Sequence, residues 1–99
     1  MVENYYFTLE DGEPVPAPDL IAWAEWFETA DRDIAKTTIG DVLVSTVFLG
    51  LDHSFGEPGP PILFETMVFG GELDQRMERY SSLEDAMLGH ERWVARVKA

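Results

Sequence analysis

Two runs of apolar, strand-preferring residues, Val42–Leu51 and Ile62–Phe69, flank a polar loop, His53–Pro61, that holds Gly56, Pro58, Gly59, Pro60 and Pro61. No other feature constrains the fold as much. The connection is too short for a parallel crossover, so the runs are predicted to pair as an antiparallel hairpin. Their apolar content is nearly continuous rather than alternating. That pattern belongs to strands covered on both faces. The second cover is expected from a dimer, a partner or a long N-terminal hairpin folded back. Two features interrupt the pattern. Asp52-His53 opens the loop, and Glu65 sits in the middle of the second run.

The flanking elements follow from local chemistry. Asn4–Leu9 is rich in strand formers, and Asp11-Gly12 is a strong two-residue hairpin signal. Pro14 and Pro16 confine the return segment, Glu13–Val15, to an edge. Asp19 is placed to cap a helix ending near Thr29–Asp31, with Leu20, Trp23, Ala24, Phe27 and Ala30 on one face and Trp26 beside it. Asp33–Ile39 reads as a strand turning at Gly40-Asp41, and Gln75–Tyr80 as a polar edge strand after Gly70-Gly71. Ser82 is the expected N-cap of a final helix. Its early acids, Glu84 and Asp85, and late bases, Arg92, Arg96 and Lys98, match the helix dipole. Leu83, Ala86, Met87, His90, Val94 and Val97, with Trp93 adjoining, would face a sheet. The predicted fold class is α+β: a mostly antiparallel β-sheet, with a central meander of four strands plus an N-terminal hairpin, packed with two amphipathic helices. The whole, residues 1–99, is expected to be a single domain.

A 99-residue chain buries roughly two thirds of its unfolded surface, enough for a core without staples. The absence of cysteine excludes disulfides and thiol chemistry and suits a reducing compartment. The N-terminal residues show neither the basic nor the apolar region of a secretion signal. No apolar run approaches the roughly 18 residues that span a bilayer. A cytoplasmic location without membrane association is therefore expected. The net charge is −12, of which −8 falls within residues 1–33. Such a surface repels phosphate, which argues against direct binding of nucleic acid or anionic membranes. Solubility is the plainer use of this charge; binding a basic partner is the sharper one.

Four residues are candidates for a ligand or metal site. Asp52 and His53 occupy a proline-stiffened loop, where function concentrates, although an aspartate here also caps its own backbone. Glu65 would be costly on a core face. The alternative is a solvent face on which it pairs with Arg76 or Arg79 across the strand. His90 follows Gly89 on the apolar stripe of the last helix; the plainer reading is a core histidine with its ring nitrogens bonded internally. Asp52, His53, Glu65 and His90 include the residue types of a zinc or manganese site or of an acid–base pair. Their spacing carries no metal or catalytic signature, so the metal is unknown, no catalytic residue is assigned, and no cofactor is implied. Whether the chain is an enzyme is left open, with the balance toward none. Trp23 and Trp26, bordered by Glu25 and Glu28, form a candidate partner-binding surface, since exposed aromatics ringed by charge mark interfaces. Both tryptophans could instead pack at the boundary of the core.

The segments PDLIAWAEWFETADRDIAKT, VSTVFLGLDHSF, PPILFETMVFGG and RYSSLEDAMLGH resemble small acidic proteins encoded by bacteriophages and prophages. The resemblance runs from the DGEPVP turn to His90. It implies a bacterial cytoplasm and an accessory role, and it assigns no catalytic residue. Three functions are therefore expected in turn. The first is a phage-type accessory protein that binds a protein partner or forms a homodimer, in host takeover or anti-defence. The second is a small metal- or ligand-binding protein, with hydrolysis as one option. The third is a structural or assembly component of a phage.

Overall fold

The computed structural model describes residues 5–99, and it has the α+β architecture expected from the sequence. Strands β1 (Phe7–Glu10) and β2 (Glu13–Pro16) form a two-stranded hairpin. Asp11 and Gly12 turn it at φ 52° and 82°, the left-handed pair that a tight two-residue hairpin loop requires. Helix α1 (Leu20–Thr29) starts where the Asp19 carboxylate accepts the Ala22 N–H at 2.7 Å. Strands β3 (Asp33–Ile39), β4 (Val42–Phe48), β5 (Phe64–Phe69) and β6 (Met77–Tyr80) form an antiparallel meander in that order. Helix α2 (Leu83–Lys98) is capped by Ser82, whose hydroxyl accepts the Asp85 N–H at 3.0 Å.

The central strands are shorter than their apolar runs. Leu49 N–H still bonds Leu63 O, but residues 50–52 turn to the N-terminal segment. Phe7 N–H donates to Gly50 O and Asp52 N–H to Tyr5 O, both at 2.9 Å, and Tyr6 bridges Leu51. The tail of the first run thus anchors the N-terminal hairpin. The predicted start of β1 at Asn4 lies outside the described residues, and regular pairing begins at Phe7.

Helix α2 crosses all four strands of the meander on one face. Side chains on that face form two apolar clusters. One gathers Phe7, Phe48, Leu63, Phe64, Tyr80 and Ala86; the other gathers Val44, Val68 and Trp93. Helix α1 packs on β1 at the end of the sheet, with the Trp26 ring edge-on to Phe48.

The opposite face of the meander is not covered by either helix. Strand register arranges this face in three rows. They are Asp33-Val47-Glu65-Arg79, Lys36-Ser45-Met67-Met77 and Thr38-Leu43-Phe69. Phe69 and Met77 are each 45% exposed. The N-terminal hairpin does not fold over them, because its Phe7 side chain is drawn into the α2-side core and its turn lies against Leu83.

Helix α1 is rotated from its predicted stripe, whereas α2 keeps its own except at Met87. In α1, Leu20 is 54% exposed and Ala24 is exposed, while Ala22, Trp23, Trp26 and Phe27 turn inward. The large indoles take the contact with β1 and Phe48, which rolls the smaller residues outward. In α2, Met87 is exposed, and Ala86, Gly89, His90 and Trp93 are buried. Gly89 accounts for this register. A Cβ there would run into the Tyr80 ring, so the glycine lets α2 settle onto β6.

Candidate functional site

The four candidate ligands lie in three separate places. The Asp52 carboxylate caps its own loop, accepting the backbone N–H of Ser54 and of Ile62, each at 2.9 Å. Burial pushes its carboxyl up, but those two N–H groups and the neighbouring His53 outweigh it and hold the group below its ordinary value. His53 Nδ1 lies 2.9 Å from Leu51 O, so the ring carries its proton on that nitrogen. Glu65 sits on the uncovered sheet face and accepts from Arg79 Nε at 3.0 Å, one of the two cross-strand partners expected for it. Leu63, two residues before Glu65 and just outside β5, is buried in the core. His90 is buried under α2, on the far side of the sheet from Glu65. Among the described residues no group of three or more His, Asp or Glu side chains is placed to hold a metal ion.

His90 belongs to a larger polar arrangement that spacing alone did not reveal. Thr37 Oγ1 lies 2.9 Å from its Nε2, and Thr46 Oγ1 lies 2.7 Å from its Nδ1. Thr46 Oγ1 lies 2.6 Å from Thr66 Oγ1, which lies 3.1 Å from the Tyr80 hydroxyl. That hydroxyl is 3.0 Å from Glu78 Oε1, which also accepts from Trp93 Nε1 at 3.0 Å and from Arg92 at 3.3 Å. The chain of hydrogen bonds takes a residue from every strand of the meander and ties each to α2. It runs between the two apolar clusters. Its sequence signal was present: Thr46 and Thr66 alternate with Val44, Phe48, Phe64 and Val68 on the core side, and His90 lies on the facing stripe.

Counting protons fixes the direction of every bond. Burial pushes the Glu78 carboxyl up, but hydrogen bonds from Tyr80 and Trp93 and the charge of Arg92 hold it below its ordinary value. Glu78 is therefore ionised and can only accept. The single Tyr80 proton goes to Glu78, so Thr66 donates to Tyr80 and Thr46 donates to Thr66. His90 Nδ1–H then donates to Thr46, and its bare Nε2 accepts from Thr37. A carboxylate on β6 thus selects the tautomer of a histidine on α2, several bonds away. Burial holds the imidazole below its ordinary pKa, against a smaller upward pull from Glu91, which favours this neutral form. Burial pushes the Tyr80 phenol up, and the Glu78 charge adds to this, so it keeps its proton. Among the described residues no buried side-chain nitrogen or oxygen lacks a partner. The arrangement offers no free nucleophile and no open acid–base pair. Its chemistry is that of a satisfied structural chain.

The tryptophan helix is also committed inward. Trp23 Nε1 lies 3.1 Å from both Phe7 O and Gly50 O, and its ring packs on Tyr6 and Phe27. Trp26 reaches Phe48, while Glu25 and Glu28 stay exposed. No helix of the described residues is long and apolar enough to cross a membrane. Comparison with protein-family models, with curated proteins and with solved structures finds no match to this chain.

Proposed function

We propose that this chain is a phage-type accessory protein that acts by protein–protein binding in the bacterial cytoplasm, and that it first pairs with a second copy of itself. The phage setting rests on the sequence resemblance alone. The binding role rests on one observation: the meander is covered on a single face and leaves Leu43, Val47, Met67, Phe69 and Met77 without a helix over them. Apolar sheet faces of this kind ordinarily meet a second layer.

Two arguments favour a second copy as that layer. The charged side chains on the face cancel in pairs, Asp33 with Lys36 at 3.4 Å and Glu65 with Arg79 at 3.0 Å. It is therefore a neutral surface on a chain of net charge −12. A bulge between Asp33 and Ala35 disfavours pairing along the β3 edge of the meander, and the prolines of β2 disfavour it along the hairpin. Four strands and three rows give a footprint of about 400 Å² per copy. That lies at the low end for specific interfaces, so the dimer is weak and reversible.

Sedimentation velocity from about 10 µM to about 1 mM, spanning the weak range of affinities, is expected to show a monomer–dimer equilibrium that Phe69→Lys with Met77→Lys abolishes. A wild-type protein that stays monomeric throughout, or a double variant that dimerises equally, would refute the proposal.

A further inference from the structure

On the other side of the molecule, the outer surface of α2 meets the tip of the N-terminal hairpin in a groove of about 440 Å³. Its floor is Leu83, Met87 and Leu88, and its rim is Glu13, Glu84 and Glu91. Met87 is 44% and Leu88 51% exposed, an adjacent pair of large apolar side chains on an otherwise charged helix surface. Glu84, Leu88 and Glu91 fall on one stripe of α2, with Met87 alongside. The hairpin wall is held in place, since Gly12 sits against Leu83 and the Phe7 side chain is anchored in the core.

Among the described residues none of the rim carboxylates forms an ion pair. Arg92, the first base along α2, is turned to Glu78 at 3.3 Å, and Arg96 lies over the Trp93 ring at 4.4 Å. The hairpin adds Glu10, the cross-strand partner of Glu13. An apolar floor inside an acidic rim selects a ligand with the inverse pattern: apolar anchors flanked by positive charge. A methionine on the floor suits such a surface, because its unbranched side chain adapts to different anchors.

From this complementarity we propose that the groove binds a basic amphipathic helix of a partner protein. Its leucine-like anchors contact Leu83, Met87 and Leu88, and its Lys or Arg side chains pair with Glu13, Glu84 and Glu91. This mode uses one helix laid along another, with anchors repeating at i, i+3, i+4 and i+7. It does not depend on self-association, because the groove and the uncovered sheet face lie on opposite sides of the sheet.

The probe is a synthetic helical peptide with leucines at that spacing and lysines elsewhere, compared with a scrambled peptide of the same composition. Fluorescence anisotropy is read at about 0.05 M and about 0.3 M salt, on either side of physiological screening. The patterned peptide is expected to bind the full chain at least about tenfold more tightly than the scrambled one. Met87→Ser with Leu88→Ser should erase that preference. Glu84→Gln with Glu91→Gln should weaken binding and flatten its salt dependence. The substituted side chains are exposed, so unchanged thermal unfolding verifies that the variants fold. Glu25→Gln with Glu28→Gln, on α1, should leave the preference intact. Equal binding of both peptides, or a preference that survives loss of Met87 and Leu88, would overturn the proposal. So would a sedimentation result in which the Met87/Leu88 variant, rather than the Phe69/Met77 variant, abolishes dimerisation, since the groove would then be a contact between copies.

Discussion

Replacing Thr46 by valine removes the central link of the buried hydrogen-bond chain with almost no change in shape. The Thr46 hydroxyl accepts from His90 Nδ1 at 2.7 Å and donates to Thr66 at 2.6 Å. Without it, one buried ring N–H loses its acceptor, at a cost of about 1–3 kcal/mol. Thr66 loses a donor but keeps its bond to Tyr80, so its share is smaller. The added methyl returns about 0.8 kcal/mol through burial. The net loss is about 2 kcal/mol, which for a domain of this size lowers Tm by about 8–16 °C. Urea unfolding should show a lower midpoint with an unchanged slope. Thr38→Val, on the uncovered face, serves as the control and should stay within about 0.5 kcal/mol of wild type. Replacing the whole segment, Thr46→Val, Thr66→Val and His90→Leu together, should recover much of the loss, because no buried polar group is then left unpaired. Nitrogen NMR of the imidazole should find the wild-type proton on Nδ1. A Thr46→Val protein as stable as wild type, or a His90 proton on Nε2, would refute the reasoning.

Two further outcomes follow from the same contacts. Gly89→Ala should gain about 1 kcal/mol on helix propensity alone, yet the Tyr80 ring occupies the space its methyl needs. Overpacking of this kind costs about 1–3 kcal/mol, so thermal unfolding should show destabilisation, and a higher Tm would count against the register described for α2. The pH dependence follows from His90, whose pKa is held down by burial in the folded state. Its contribution to stability is complete above the unfolded value of about 6.5 and drains away as pH falls below it, because the unfolded chain then binds more protons. Glu78 and Asp52, whose pKa values are also held down, lose their contributions lower, as pH falls through the carboxylate range. Chemical unfolding from pH 7 to pH 5 should therefore show a decline that His90→Leu flattens; parallel curves would exclude this linkage.

The strand and helix order was legible because each boundary has a local chemical cause: Asp11-Gly12 turns β1 into β2, Asp19 and Ser82 cap the helices, and Gly40-Asp41 links β3 to β4. The rotation of α1 was not legible, because Leu20 and Ala24 satisfy the helical spacing as well as Ala22 and Trp26 do. Only the position of Phe48, distant in sequence, decides between them. The reading of Glu65 as one half of an ion pair needed only strand alternation and a short turn, both local. The hydrogen-bond chain needed the register of four strands and the height of α2 over them at once. Each of its threonines is unremarked by itself, since threonine is an ordinary strand residue. Their common level in the core is a property of the fold.

The polar chain and the two open surfaces answer a single physical problem. With so few charges of positive sign, the chain has little to spend on attraction between its own elements, and every base with a partner is used locally: Lys36 with Asp33, Arg79 with Glu65, Arg92 with Glu78. Neutral groups therefore fix the level of α2 on the sheet, with the Glu78 carboxylate setting their direction from the rim. The surplus negative charge is left for the exterior, where it has opposite consequences at the two surfaces. At the neutral sheet face it only opposes the approach of a second copy, so added salt, by screening the repulsion between two chains of charge −12, strengthens pairing. At the groove the carboxylates would attract the proposed basic helix directly, so the same salt is expected to weaken that binding. The two proposed associations are therefore expected to respond to salt with opposite signs, and the sign of the salt effect identifies which surface is engaged.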